Sequence, residues 1–171
     1  MNKEVIKEEL IEKHKSFTDY INSMSENESM TPKNKDKWSA VQQLKHIYLS
    51  IRPVSISLRL PRLLIRLIFG KPKHTRTYEE IVTAYQLALK NGGKAGPAYI
   101  PKSVSSRHKL QLIDDVTRLI KSIVETLDQL SEEDLDNYVL PHPLIGKTTF
   151  REMLYFTIYH VQHHQRTIIE N

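Results

Sequence analysis

The chain has 171 residues, an apolar fraction of 39% and a charged fraction of 26%, the balance of a single globular domain. A net charge of +5 is too small to point to nucleic acid, and no nucleic-acid partner is expected. The lack of cysteine excludes disulfides, Cys-based zinc sites, iron–sulfur clusters and a thiol nucleophile, and five glycines leave no G-x-G-x-x-G or phosphate loop.

The opening MNKEVIKEELIEKHK is charged and amphipathic and lacks the apolar run of a signal peptide, so the cytoplasm is the expected compartment. The spacing of Val5, Leu10, Ile11, Phe17 and Ile21 predicts a first helix from Lys3 to Met24. The polar run Ser25 to Lys37, with Pro32, reads as a loop. Ser39 and Gln42 form a capping box that opens a second helix to about Ile51, after which Pro53 and Pro61 are expected to kink or restart it. Pro61 suits the first turn of a short helix, Arg62 to Phe69, which Gly70 and Pro72 stop. Arg52, Arg59, Arg62 and Arg66 interrupt the apolar stretch Ile51 to Phe69, so no membrane span is expected.

Thr77 with Glu80 caps a helix to about Lys90, and Asn91-Gly92-Gly93 ends it. Three glycines and two prolines make Gly92 to Pro101 a loop. Ile113, Val116, Ile120, Ile123, Leu127 and Leu130 predict a third long helix from Ser105 to Leu130. Ser131 to Gly146 reads as a connector, with Tyr138-Val139-Leu140 the single strand candidate. Thr149 with Glu152 caps the last helix, which runs to the C-terminus. The pattern predicts one all-α domain over residues 1–171: an up-down four-helix bundle with a short helical insertion between helices 2 and 3.

Histidine is the unusual residue, with eight copies. On the last helix His160 and His164 stand one turn apart near the middle of the apolar stripe, and His163 lies on its rim. Two imidazoles at i and i+4 can grip a divalent metal from one side. They can equally be buried histidines satisfied by hydrogen bonds. The residues between them give no H-E-x-x-H, so the metalloprotease base is missing.

A catalytic site needs a third ligand. His14 and His108 read as solvated surface near helix ends, and His74 lies in a basic loop. His142, between two prolines, is expected to lie too far from His160. His46 is mid-helix, where a facing helix could bring it opposite His160, but the helical wheel alone also fits a half-exposed polar residue.

The order Trp38-Ser39-x-x-x-x-Leu44-x-His46, then His142-Pro143-x-x-Gly146, Thr149, Glu152 and His160-x-x-His163-His164, resembles the DinB/YfiT-like superfamily over nearly the whole chain. The resemblance implies a four-helix protein, often a metal-dependent hydrolase, with one metal ion held by His46, His160 and His164. Zinc or nickel is the expected ion. No general base is assigned. In related families the activated group is instead a low-molecular-weight thiol used for S-transfer or isomerisation. The run His46-Ile47-Tyr48-Leu49-Ser50 lacks the acidic residue that many members carry after this histidine, and the insertion from Pro53 to Pro101 is longer and more basic than the family pattern.

Two other classes fit the residues. A helix bundle with structural histidines could be a non-catalytic scaffold. Arg59, Arg62 and Arg66 line one side of a helix away from Leu63, Leu64 and Leu67, and such a basic amphipathic helix can lie on a membrane, contact phosphate or cover a pocket. Members of the family are often homodimers, and Tyr155, Ile158 and Ile169 are expected on the outer side of the last helix, where a second copy or the basic insertion would cover them.

Overall fold

The computed structural model describes residues 1–170 other than 33, 35, 36 and 103, so part of the expected 25–37 loop lies outside the described residues. The chain forms α1 (Lys3–Ser23), α2 (Glu26–Met30), α3 (Ala40–Ser57), α4 (Arg62–Phe69), α5 (Tyr78–Lys90), α6 (Lys109–Asp128), α7 (Glu132–Asn137), a hairpin of β1 (Val139–His142) and β2 (Gly146–Thr149), and α8 (Phe150–Glu170). Tight 3-10 turns stand at Pro97–Tyr99 and Ser106–His108.

The helix starts follow local chemistry. Ser39 and Thr77 cap α3 and α5 with reciprocal bonds to Gln42 and Glu80. Thr149 and Glu152 do the same for α8: the Glu152 amide donates to Thr149 Oγ1 at 3.1 Å and the Thr149 amide to Glu152 Oε2 at 3.0 Å.

The bundle is made by α1, α3, α6 and α8, with α1 and α3 each packed against both α6 and α8. Hydrogen bonds at the ends set the directions. The Met1 ammonium donates to Tyr155 Oη at 2.9 Å and Gln165 Nε2 donates to Ser16 Oγ at 3.1 Å, so α1 and α8 run parallel. Lys3 Nζ donates to the Leu130 carbonyl at 2.8 Å and Lys109 Nζ to the Met24 carbonyl at 2.6 Å, so α6 runs against α1. Gln43 meets His164 and His46 meets His160, so α3 runs against α8.

The four-helix bundle therefore stands, but its directions do not simply alternate: α3 and α6 are parallel neighbours. A chain leaving the end of α3 must travel back the length of the bundle before starting α6, and residues 58–108, with α4 and α5, make that crossover.

Four expectations are corrected. Pro53 does not end α3, which continues to Ser57. Val54, Ser55 and Leu58 are buried beyond it, and their packing outweighs the lost helical hydrogen bond. Two stretches expected as loop or connector hold short helices, α2 and α7, each opened by its own capping box. The connector before α8 also carries the β1–β2 hairpin, antiparallel with Val139 opposite Thr149 and His142 opposite Gly146, whose φ of +76° favours glycine. Finally, Tyr155 and Ile158 are not outer-face residues. α8 is buried on every side from Phe150 to Val161, and α1 together with α5, which belongs to the insertion expected as the alternative cover, packs on it within the chain. Those two side chains therefore call for no second copy, and Ile169 alone of the three is exposed.

No helix among the described residues is long and apolar enough to cross a membrane.

Candidate metal centre

The site lies where the middle of α3 faces the last third of α8. His160 and His164 share one face of α8, as their spacing requires, and both are buried. His46, on α3, is buried opposite them. The Nε2 atoms of His46 and His160 are 3.2 Å apart, and those of His164 and His160 are 2.9 Å apart.

Each outer histidine is held from behind. His46 Nδ1 lies 2.7 Å from the carbonyl oxygen of Tyr99, which can only accept, so the proton sits on Nδ1 and Nε2 is bare. His164 Nδ1 donates to the Gln43 side-chain oxygen, one turn before His46 on α3, which leaves its Nε2 bare as well. The Trp38 ring packs on His46 with centroids 5.0 Å apart, and Phe156 stacks on His160 at 4.7 Å. Burial holds all three imidazoles below the ordinary histidine range, His160 and His164 well below it, so they stay neutral.

Two bare nitrogens thus face a third across 2.9 and 3.2 Å. A single proton on His160 makes a full hydrogen bond to only one of them. A cation among the three accepts a lone pair from each. Two nitrogens bound to one ion at ~2.1 Å lie ~3.0 Å apart at a right angle and ~3.4 Å apart at a tetrahedral angle, so the observed separations fit a divalent ion with little movement. His46, His160 and His164 could hold a metal ion, and the tethering of His46 and His164 through Nδ1 is the kind of support that metal-binding imidazoles use.

The three rings line a cavity of about 690 Å³. Its wall is mainly apolar, with Phe69, Tyr85, Leu140 and Met153, and no Asp or Glu among the described residues contributes. Tyr85 on α5 sets its ring edge-on to His160 at 5.8 Å, and burial pushes its phenol up to about 12.

The other histidines separate cleanly. His163 lies at the rim of the α8 stripe, lines the cavity and is absent from the three-nitrogen cluster. His74 and His108 are exposed.

His14 is a correction: it is 2% exposed, in the middle of α1 on the stripe of Ile6, Leu10, Phe17 and Ile21. Its i+4 offset from Leu10 and i−3 offset from Phe17 carried that signal, which the charged neighbours obscured.

His142 is a partial correction. The hairpin brings it to the cavity wall, its ring 4.2 Å from Phe156, although it does not join the cluster. Its Nδ1 accepts from the amides of Leu144 and Ile145 at 3.1 and 3.2 Å, so its proton is on Nε2. Burial, with help from Arg76, brings it down to about 4.

The model of the DinB superfamily matches residues 9–168. The chain belongs to the DinB superfamily. Among solved structures, YfiT from Bacillus subtilis, described as a probable metal-dependent hydrolase with an unusual four-helix bundle topology, is similar at 18% identity and a TM-score of 0.63, over 98% of this chain and 84% of that one. At that identity the likeness carries the DinB fold. No curated protein matches the chain.

Proposed function

We propose that this DinB-superfamily protein is a metal-dependent hydrolase of a small molecule, with His46, His160 and His164 as ligands of a divalent ion, zinc or nickel. The observation that carries the reading is the convergence of three neutral imidazoles on one point at the wall of a mostly apolar cavity. When bound, such an ion supplies Lewis acidity, which polarises a substrate carbonyl and makes water a nucleophile near neutral pH.

The chain's own residues do the rest. The Tyr99 carbonyl and the Gln43 amide orient two of the rings before any ligand arrives. Phe156, Met153 and Leu140 keep bulk water from the substrate's apolar body. His142, neutral and protonated at Nε2, is a hydrogen-bond donor toward negative charge that develops on the substrate. With no carboxylate in the described wall and Lys94 on it, the cavity suits an uncharged or anionic substrate.

Metal analysis of protein purified without a histidine tag tests the reading, beside calorimetric titration with Zn²⁺ and Ni²⁺. Wild type is expected to hold about one equivalent and His160→Ala to hold none. Equal metal content in both, or none taken up by wild type, overturns it. Turnover that appears only with an added low-molecular-weight thiol moves the assignment from hydrolysis to S-transfer.

A further inference from the structure

The crossover carries a surface that the site does not use. From residue 37 to residue 78 the sequence has nine Lys or Arg and no Asp or Glu, while the whole chain is only +5, so the rest of the protein is net acidic. At the centre of this segment is α4. Its Ile65 is buried against the body of the fold, and the opposite side turns Leu63, Leu67, Ile68 and Leu64 to solvent at 69, 74, 59 and 41% exposure. Four large apolar side chains on eight residues form a patch that water-soluble surfaces rarely leave open.

In the same segment Arg52, Arg66, Lys71 and Lys73 are exposed and Arg62 is half-exposed, and none of the five makes an ion pair among the described residues. Arg62 and Arg66 stand on the flank of α4, between its buried and its apolar side. The helix is held in place: Lys147 Nζ donates to the Phe69 carbonyl at 2.5 Å, and Gly70, with φ of +80°, turns the chain away.

We infer that α4 is an in-plane anchor that seats the protein on an anionic lipid surface. Leu63, Leu64, Leu67 and Ile68 enter the acyl boundary. Arg62 and Arg66 reach sideways to the lipid phosphates, and Arg52, Lys71 and Lys73 add to the attraction of the headgroup layer. Charge selects this occupant over a second copy of the chain, because a two-fold contact through α4 would set Arg62 and Arg66 of one copy beside the same unpaired cations of the other, with no Asp or Glu anywhere in residues 37–78 to offset them. The inference does not depend on the metal site. Phe69 belongs to both α4 and the cavity wall, so the contact brings the rim of the cavity to the lipid.

Co-sedimentation of the full chain with vesicles tests it. Phosphatidylcholine vesicles with about a third phosphatidylserine are expected to bind wild type at least ~10-fold better than phosphatidylcholine alone, and binding is expected to weaken in ~0.5 M salt. Leu63→Ser/Leu67→Ser is expected to lower the bound fraction on the anionic vesicles ~10-fold or more, and Arg62→Gln/Arg66→Gln to remove most of the preference for them. All four substituted side chains face solvent at least in part, and far-ultraviolet circular dichroism checks that both variants keep the fold. Equal binding to both vesicle types, no binding to either, or unchanged binding by the leucine variant overturns the inference. So does a wild-type particle of twice the chain mass in sedimentation that reverts to one chain in the leucine variant, since the face would then belong to a second copy.

Discussion

The Nε2 atoms of His46 and His160 meet at 3.2 Å although 114 residues separate them in the chain. The contact ties the second bundle helix to the last, and a ligand bridging the two links the first third of the sequence to the last.

Such a link predicts stability that depends on metal. A chelator is expected to lower the melting temperature of wild type by roughly 10 °C, the effect of losing a ligand held ~1,000-fold below its working concentration. The same treatment is expected to leave His46→Ala unmoved, because that variant cannot hold the ion across the two helices. His163→Ala, which alters a rim residue, is expected to behave as wild type. Thermal melts with and without chelator check all three.

The hydrogen bond from His164 Nδ1 to Gln43 predicts a supporting role that can be measured separately. Gln43→Leu removes the acceptor and is expected to weaken metal affinity about 10- to 100-fold. Gln43→Glu keeps an acceptor at the same reach and is expected to retain most of it. Competition titration against a chromogenic chelator reads the difference without any assay of activity.

His14 predicts a pH dependence of stability. Its Nδ1 donates to the Leu10 carbonyl at 2.8 Å, and its Nε2 is buried with no partner among the described residues. Burial lowers it to about 4 in the folded protein, against an ordinary value of 6.5. Between these values the unfolded chain takes up a proton that the fold refuses, so stability is full above pH ~6.5 and declines as pH falls toward ~4, by about 3 kcal/mol in all. His14→Leu, with no titrating ring, is expected to escape this part of the decline. Urea unfolding of both proteins at pH 7.5 and pH 5 checks it; parallel losses would show that other groups dominate.

Glu152 predicts a large structural cost. It is buried at the start of α8 and accepts from the Arg76 amide at 2.6 Å and the Arg76 guanidinium at 2.9 Å, beside its bond to Thr149. Glu152→Ala takes the acidic partner from a largely buried arginine, which keeps only its bonds to the Ile145 and Lys147 carbonyls, and is expected to cost about 3 kcal/mol. A fall of roughly 10 °C in melting temperature is the corresponding readout.

Local chemistry alone determined much of this protein. Ser39, Thr77 and Thr149 each begin a helix because a hydroxyl and a carboxylate or amide three residues later satisfy free backbone groups without help from elsewhere. The same signal stood at Ser25–Glu28 and Ser131–Asp134, where the short helices α2 and α7 form, so those two were legible. The pairing of His160 with His164 on one face was legible for the same reason: a single helix sets both positions.

The tertiary structure alone decided the rest, because each remaining feature depends on groups far apart in sequence. His46 faces His160 only once α3 runs against α8, and nothing on its own helix required that. Pro53 stays inside α3 because Val54, Ser55 and Leu58 find buried partners beyond it. Tyr155 and Ile158 are interior because α1 and α5 close over α8. Periodicity gives a helix its faces. Which face meets which neighbour, and in which direction, is set by the long-range packing of the whole bundle.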